Sequence, residues 1–521
     1  MTAMAEQPKA TIRGLPTLKV TSPEQIPDAG LELEADVVVI GSGAAGAVTA
    51  YELSRSGAKV LILEAGPHIP SSEFQEHAPT ALETLYEDHG NQVNTTGDLA
   101  ILQGKCVGGS TVVNAAACFR VPNQVLDNWA EEHGLENLSP EALRPYFERV
   151  ERNLSVHQNE PHEVNYNGRL LIEGARKVGI PASPISRNIK DCALTGHCIS
   201  GCKTDRKQSM LVTYLPWASE HGATILCGTR AETFEVRGRR VTAVHAVATD
   251  TTGKTNPVRV RAGLVVVAAG AVQTPLLFQR NQLGNSSGQV GLNFACHPSL
   301  AVFGEHEKDI YAWVGATLSA QAGDVENPLK GGYLLEAGMV GPVISSAWID
   351  GGLGSDFVEF MENSKRFQAA VILIHDHNVG SVYLDGDRKR IEYDLDDRDF
   401  ESMREALRGT ARIYFAAGAR RVYLPTTRRT MIESEDQVDS VIDSLHNGKH
   451  MYRITSYHPQ GTMRMGADPA RSVVGPNGRC HDLDNVYVPD ASLFPSSLLV
   501  NPQITVYTLA SYISDQILAR A

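Results

Sequence analysis

Asp36-Val37-Val38-Val39-Ile40-Gly41-Ser42-Gly43-Ala44-Ala45-Gly46 is the stretch on which the fold of this chain turns. A short, continuous apolar run marks a parallel strand covered on both faces, and a G-x-G-x-x-G follows it at once. A helical stretch from Ala47 to Ser56, ended by Gly57, and a second apolar run, Lys59-Val60-Leu61-Ile62-Leu63, complete a βαβ unit. In such a unit Gly41 permits the tight turn, Gly43 lets the backbone approach a pyrophosphate, and Gly46 lets helix and strand pack closely. The helix N-terminus, at Ala44 and Ala45, offers free N–H groups and a positive dipole end to phosphates. Glu64 ends the second strand where an acid accepts hydrogen bonds from ribose hydroxyls. Strands on both sides and a correctly placed acid predict a Rossmann-like α/β domain holding a dinucleotide. The acid favours a free 2′-hydroxyl, hence FAD or NAD rather than NADP.

The rest of the chain limits the alternatives. Its 521 residues exceed one ordinary core, which predicts two connected domains. A formal net charge of −13 disfavours nucleic acid, whose phosphates such a surface repels. No run of about eighteen apolar residues suggests a membrane span, and the polar Met1 to Arg13 lacks the apolar core of a signal peptide. Cytoplasmic residence is therefore expected. Residues 1–30, with Pro8, Pro16, Pro23 and Pro27, read as an arm over the surface. Cys192, Cys198 and Cys202 cluster without the spacing of paired zinc knuckles. Ordinary loop thiols or one local disulfide suit them better than a metal site.

Further along, Ser139-Pro140-Glu141 opens a helix with Ser at the N-cap and Pro at the first helical position. An apolar stripe of Leu143, Tyr146, Phe147 and Val150 carries it to about Leu154. Thr229 to Val267 reads as a strand meander, and Asp397 to Ala417 and Ser434 to Leu445 as helices. A second glycine-rich loop, Gly104-Lys-Cys-Val-Gly108-Gly109-Ser110-Thr111-Val-Val-Asn114, follows the first. A nicotinamide enzyme has no need of it there, whereas an extended flavin needs backbone near its ribityl and ring portions. The second loop therefore selects FAD.

With these segments in view, the sequence resembles the glucose–methanol–choline oxidoreductases, FAD-dependent oxidases and dehydrogenases of alcohols. Four segments carry the likeness: Val39 to Gly66, Gly104 to Asn114, Gly270 to Gly284, and His458 to the C-terminus. Val290-Gly291-Leu-Asn293 with His297 adds to it, while Asn281-Gln282 departs from the family's usual Ser-Gly. The resemblance implies cofactor contacts from Ala65, Ala231, Ala269, Gly270, Asp490, Ala491, Pro502 and Gln503 as well as the two loops. Where some relatives carry a flavin-linking His just before the Asn of the second loop, this chain has Val113, which implies non-covalent FAD. It also makes His458, in His-Pro-Gln-Gly-Thr, the catalytic histidine, and Asn501, in Asn-Pro-Gln, its partner. Neutral imidazole suits proton transfer near neutral pH, so His458 is the expected proton acceptor; Asn501 cannot titrate and would orient the substrate oxygen.

The expected organisation is an FAD-binding domain from residues 31–125, 211–296 and 456–521, and a substrate-binding domain from 126–210 and 297–455. The latter should be a mostly antiparallel sheet with flanking helices. His375 and His377 share one face of an expected strand there, with a structural role favoured. The expected reaction oxidises an alcohol to an aldehyde or ketone, passing electrons to oxygen or another acceptor. The stretch from the cysteines through Lys207-Gln208-Ser209-Met210 to Pro216 is most similar to relatives acting on long-chain or apolar alcohols. A sugar oxidoreductase, a hydroxynitrile lyase-like flavoprotein without net redox, and a protein retaining FAD for stability are the rivals.

Overall fold

Strand Leu31–Ile40 pairs in parallel on both sides, with Val60–Leu63 and with Thr255–Val267. Val38, Val39 and Ile40 are buried because neither face of the strand meets water. In the computed structural model, which describes residues 17–325, 332–346 and 354–520, this strand lies inside an eight-stranded sheet. Thr224–Leu226 continues the sheet beyond Val60–Leu63, again in parallel. On the other side the long Thr255–Val267 strand pairs antiparallel with Arg240–Thr249, which pairs with Thr229–Arg237. The expected meander is thus three strands of one sheet. Helix Ala44–Arg55 packs against the C-terminal helix Gln503–Leu518. The two ends of the chain therefore meet in one layer.

The second, nine-stranded sheet is mostly antiparallel and centres on Ser299–Glu305, Phe367–Ile374, Tyr333–Ala337 and Ala320–Gly323. Helices Tyr166–Lys177 and Asp397–Ala416 pack on it. Asp396 caps the latter, its side chain accepting from the backbone N–H groups of Arg398 and Asp399. Strand Ile454–Ser456 joins this sheet and delivers His458 two residues later.

Three expected boundaries change. Residues 126–154, assigned to the substrate-binding domain, pack into the core of the first sheet. Helix Pro140–Asn153 turns Leu143, Phe147 and Val150 inward, Tyr146 meets Tyr512 edge-on at 5.5 Å, and Trp129 packs on Phe494 at 5.8 Å. Their apolar stripe is buried by the C-terminal helix, which belongs to the first layer. Conversely, Leu99–Ile101 leaves the first segment to pair with Ile454–Ser456 in the second sheet. Within the N-terminal arm, Val20–Thr21 adds a parallel edge strand beside Thr224–Leu226. Pro8 and Pro16 lie outside the described residues. Residues 434–445 form a 3-10 turn, Glu435–Gln437, followed by the short helix Val438–Asp443.

Candidate active site

The two glycine-rich loops touch. The Ser42 hydroxyl accepts the N–H of Gly108 at 3.0 Å and donates to the Glu64 carboxylate at 2.7 Å. Glu64 also accepts the N–H groups of Ser42 and Gly66. Burial raises the pKa of Glu64, while these donors work in the opposite direction. Gly41 has a φ of +99°, a left-handed turn that favours glycine. Gly43 differs: a Cβ added there meets only Gly109 Cα, at 3.9 Å, and would project into open space.

That space is a cavity of about 670 Å³ running from the loops to the second sheet. Every residue expected to hold the cofactor lines it, except Gly46 and Gly108. Those two act from behind: Gly46 lies too close to the Gly41 carbonyl for any side chain, and Gly108 bonds Ser42. The N-terminal ends of three helices, Ala44–Arg55, Gly270–Arg280 and Gln503–Leu518, border the cavity. Helix N-termini offer N–H donors and positive dipole ends. Asp490 accepts the N–H of Gly270 and the hydroxyl of Thr274, with its pKa raised by burial. The Gln503 side chain accepts from Asn114 at 2.9 Å, tying the last helix to the second loop. Open space beside Gly43, helix-terminal donors and an acid at the strand end fit an extended dinucleotide such as FAD.

His458 and Asn501 line the other end of the same cavity. Burial pushes the His458 imidazole down to about 3, so the ring is neutral at physiological pH. Its Nδ1 lies 3.2 Å from Nδ1 of His297, which is fully buried. His297 Nε2 accepts the backbone N–H groups of Leu498 and Leu499, at 3.0 and 2.9 Å. Backbone N–H groups only donate, so neutral His297 carries its proton on Nδ1 and gives it to His458 Nδ1. Neutral His458 therefore keeps its own proton on Nε2. This alters the expectation of an acceptor: with that bond intact, the cavity side of His458 is a hydrogen-bond donor. The backbone is strained on both sides of these bonds, His297 and Leu499 adopting left-handed φ values of 51° and 70°. Asp376 fixes the first of them by accepting the N–H groups of Cys296 and His297.

Asn501 donates from Nδ2 to Glu336 Oε2 at 3.4 Å, and among the described residues its Oδ1 accepts nothing. Glu336 itself was not foreseen. It sits in Tyr333–Ala337, buried in a strand whose register puts Gln321 and Val371 beside it. The available signal was an acid inside the run Leu334-Leu335-Glu336-Ala337, in which every residue is buried. Met339, Val340, Leu318 and Val371 give this end an apolar wall. His375 and His377 do not line the cavity. They fall just past the end of strand Phe367–Ile374, where burial drives His375 down to about 4 and His377 bonds Asp399. Val113 lines the cavity as a buried, unreactive side chain. The eight cysteines are free thiols, Cys192, Cys198 and Cys202 included. Among the described residues no group of His, Cys, Asp and Glu is arranged to hold a metal ion, and no helix is long and apolar enough to cross a membrane.

A Rossmann-like sheet, two interlocked glycine loops and a His–Asn pair at the far end of one cavity define a flavin-dependent oxidoreductase of two sheets. Models of the GMC oxidoreductase family match residues 35–299 and 376–510. An uncharacterized GMC-type oxidoreductase of Mycobacterium tuberculosis is 32% identical over 488 residues, covering 93% of this chain and 76% of its own length. Long-chain-alcohol oxidase FAO3 of Arabidopsis thaliana is 27% identical over 514 residues, covering 94% and 68%. The crystal structure of pyridoxine 4-oxidase from Mesorbium loti superposes with a TM-score of 0.70 at 21% identity, covering 93% and 99%. The chain belongs to the GMC oxidoreductase family and is an FAD-dependent enzyme.

Proposed function

We propose that this enzyme oxidises an uncharged, largely apolar alcohol to an aldehyde or ketone, with His458 and Asn501 holding the hydroxyl and non-covalent FAD taking the electrons. The observation that carries the reading is one cavity joining the dinucleotide loops to His458 and Asn501. Bound FAD supplies a two-electron hydride acceptor. The protein's share is positional. Gly41, Gly43, Glu64, Gly109 and Asp490 hold the dinucleotide, and the Nε2–H of His458 donates to the substrate oxygen. Asn501 accepts the hydroxyl hydrogen through Oδ1. As the oxygen gains negative charge, a fixed donor in a dry site stabilises it more than water does.

The apolar wall of Leu318, Met339, Val340 and Val371 favours a hydrocarbon chain over a hexose, because a sugar pocket needs several polar groups aimed at hydroxyls. The similarity to plant long-chain-alcohol oxidases points the same way. Anaerobic mixing of the yellow enzyme with linear alcohols, cyclic alcohols and hexoses tests the reading. Linear alcohols should bleach the flavin fastest; a hexose that does so by a wide margin rules out the apolar substrate while leaving the His–Asn pair in place.

A further inference from the structure

Five of the eight cysteines are buried, while Cys192, Cys198 and Cys202 are half-buried and within reach of a small reagent. These three line one pocket of about 10 Å³, barely room for a water molecule. Two buried cations come up to it. Lys207, 2% exposed, gives its backbone N–H to Cys202 Sγ at 3.4 Å and its ammonium to the Cys198 carbonyl at 2.8 Å. Arg187, fully buried, holds Cys192 instead, its Nη1 lying 3.9 Å from Sγ. Burial lowers the pKa of Lys207, with the sulfurs of Cys198 and Cys202, when ionised, working against it. Among the described residues the thiols are not arranged to hold a metal ion.

The other side of this loop is a wall of the large cavity. Ile199 and Ser200, between the two thiols that share Lys207, line that cavity. The Ile199 carbonyl accepts the Tyr86 hydroxyl at 2.6 Å. Lys207 Nζ also donates to the carbonyls of Val112 and Asn114 in the second glycine-rich loop, both at 2.7 Å. After the turn Cys198–Ser200, Gly201 reverses the chain with a φ of +90°, and Cys202 meets the pocket that Cys198 lines.

We propose that Cys198 and Cys202 are a reversible oxidation site, closed to a disulfide by a hydroperoxide, and that closure moves the Ile199–Ser200 wall of the cavity. Cys202, as the thiolate, attacks the peroxide. An S–O bond forms, the O–O bond breaks, and the leaving oxygen takes up a proton and departs as water, leaving a sulfenic acid. The Cys198 sulfur then attacks Cys202. The S–S bond forms, the S–O bond breaks, and a second water leaves with the Cys198 proton. Two thiols lose two electrons and two protons, and one peroxide becomes two waters. A dithiol reverses the change by exchange. The N–H and ammonium of Lys207 meet the negative sulfur in both directions.

The test treats the holoenzyme with hydrogen peroxide, unfolds it in iodoacetamide and maps the tryptic peptides by mass. The peptide from Asp191 to Lys203 should carry one alkyl group, at Cys192, and lack the two thiol hydrogens of Cys198 and Cys202. Dithiothreitol added before the block should restore three alkyl groups. The visible circular dichroism of the bound flavin should change with the same time course and return on reduction. In Cys198→Ser it should stay constant through the treatment. This readout needs bound FAD but no oxidisable alcohol. Three alkyl groups after peroxide, a bridge made by Cys192, or a sulfinic acid in place of the bridge would each overturn the assignment. A disulfide that forms with the flavin signal unchanged overturns the coupling to the cavity. Should Cys198→Ser fail to fold, the wild-type time course and its reversal decide both points.

Discussion

The two ends of the cavity are built by different means. At the end proposed for FAD the lining is largely backbone: glycines, helix N-termini and the N–H groups they present, with Glu64 and Asp490 as their carboxylate partners. At the end proposed for the substrate the polar lining comes from single side chains, His458, Asn501 and Glu336, each on a different segment. A backbone site tolerates changes in neighbouring side chains, because what it presents are the N–H groups of short motifs such as Gly41 to Gly46 and Gly104 to Asn114. A side-chain site can draw on any strand that reaches it. It can therefore diverge in substrate while the cofactor end stays the same.

That contrast predicts where substitutions act. The largest effect belongs to the substrate end: His458→Ala should slow anaerobic flavin reduction by about 10²–10³-fold, the usual loss on removing a fixed oxyanion donor, with FAD content unchanged. Loss of FAD in this variant would erase the separation between the two ends. At the cofactor end, Glu64→Ala removes a buried acceptor at a cost on the order of 1–3 kcal/mol. Equilibrium dialysis should show FAD binding weakened by about 10–100-fold, with the reduction rate of the remaining holoenzyme nearly unchanged. Acid precipitation should release intact FAD, since Val113 cannot link it; flavin staying with the pellet would show a covalent bond elsewhere.

Smaller effects sharpen the description of the apolar wall. Each added CH₂ buried gains about 0.8 kcal/mol, so kcat/KM should rise about 4-fold per carbon in a linear series until the pocket is full. A flat series would mean that the chain lies outside the cavity. The smallest effect is on stability. Glu336 is raised to about 7 in the folded protein, so its contribution is present below the ordinary Glu pKa and is lost as pH climbs through 7. Glu336→Gln should therefore melt a few degrees above wild type at pH 8–9, the gap closing below pH 5.

The same contrast explains what could be read from the sequence. Gly41 to Gly46, Gly104 to Asn114 and Glu64 are contiguous motifs whose spacing is set by backbone geometry, so fold and cofactor were legible before any coordinates. His458 and Asn501 could be singled out as cavity residues because each opens a turn leading from or into a regular element, at strand Ile454–Ser456 and helix Gln503–Leu518; their roles are those proposed above. The tautomer of His458 was not, since it depends on His297 and on N–H groups from Leu498 and Leu499, distant in sequence. Glu336 left only the trace of an acid in a buried strand, because neighbouring strands and not its own flanks create its surroundings. Residues 126–154 were misplaced because an amphipathic stripe shows that a face is buried without showing which layer buries it.

The central claim is that one cavity brings an oxidisable alcohol to FAD beside His458. It is tested most directly by titrating the purified holoenzyme with a linear long-chain alcohol in the absence of oxygen. The account predicts complete bleaching of the flavin, one carbonyl product formed per flavin, and recovery of the yellow form when an electron acceptor is admitted. A flavin that stays oxidised with every alcohol, or a carbonyl released from a cyanohydrin with no bleaching, would contradict it.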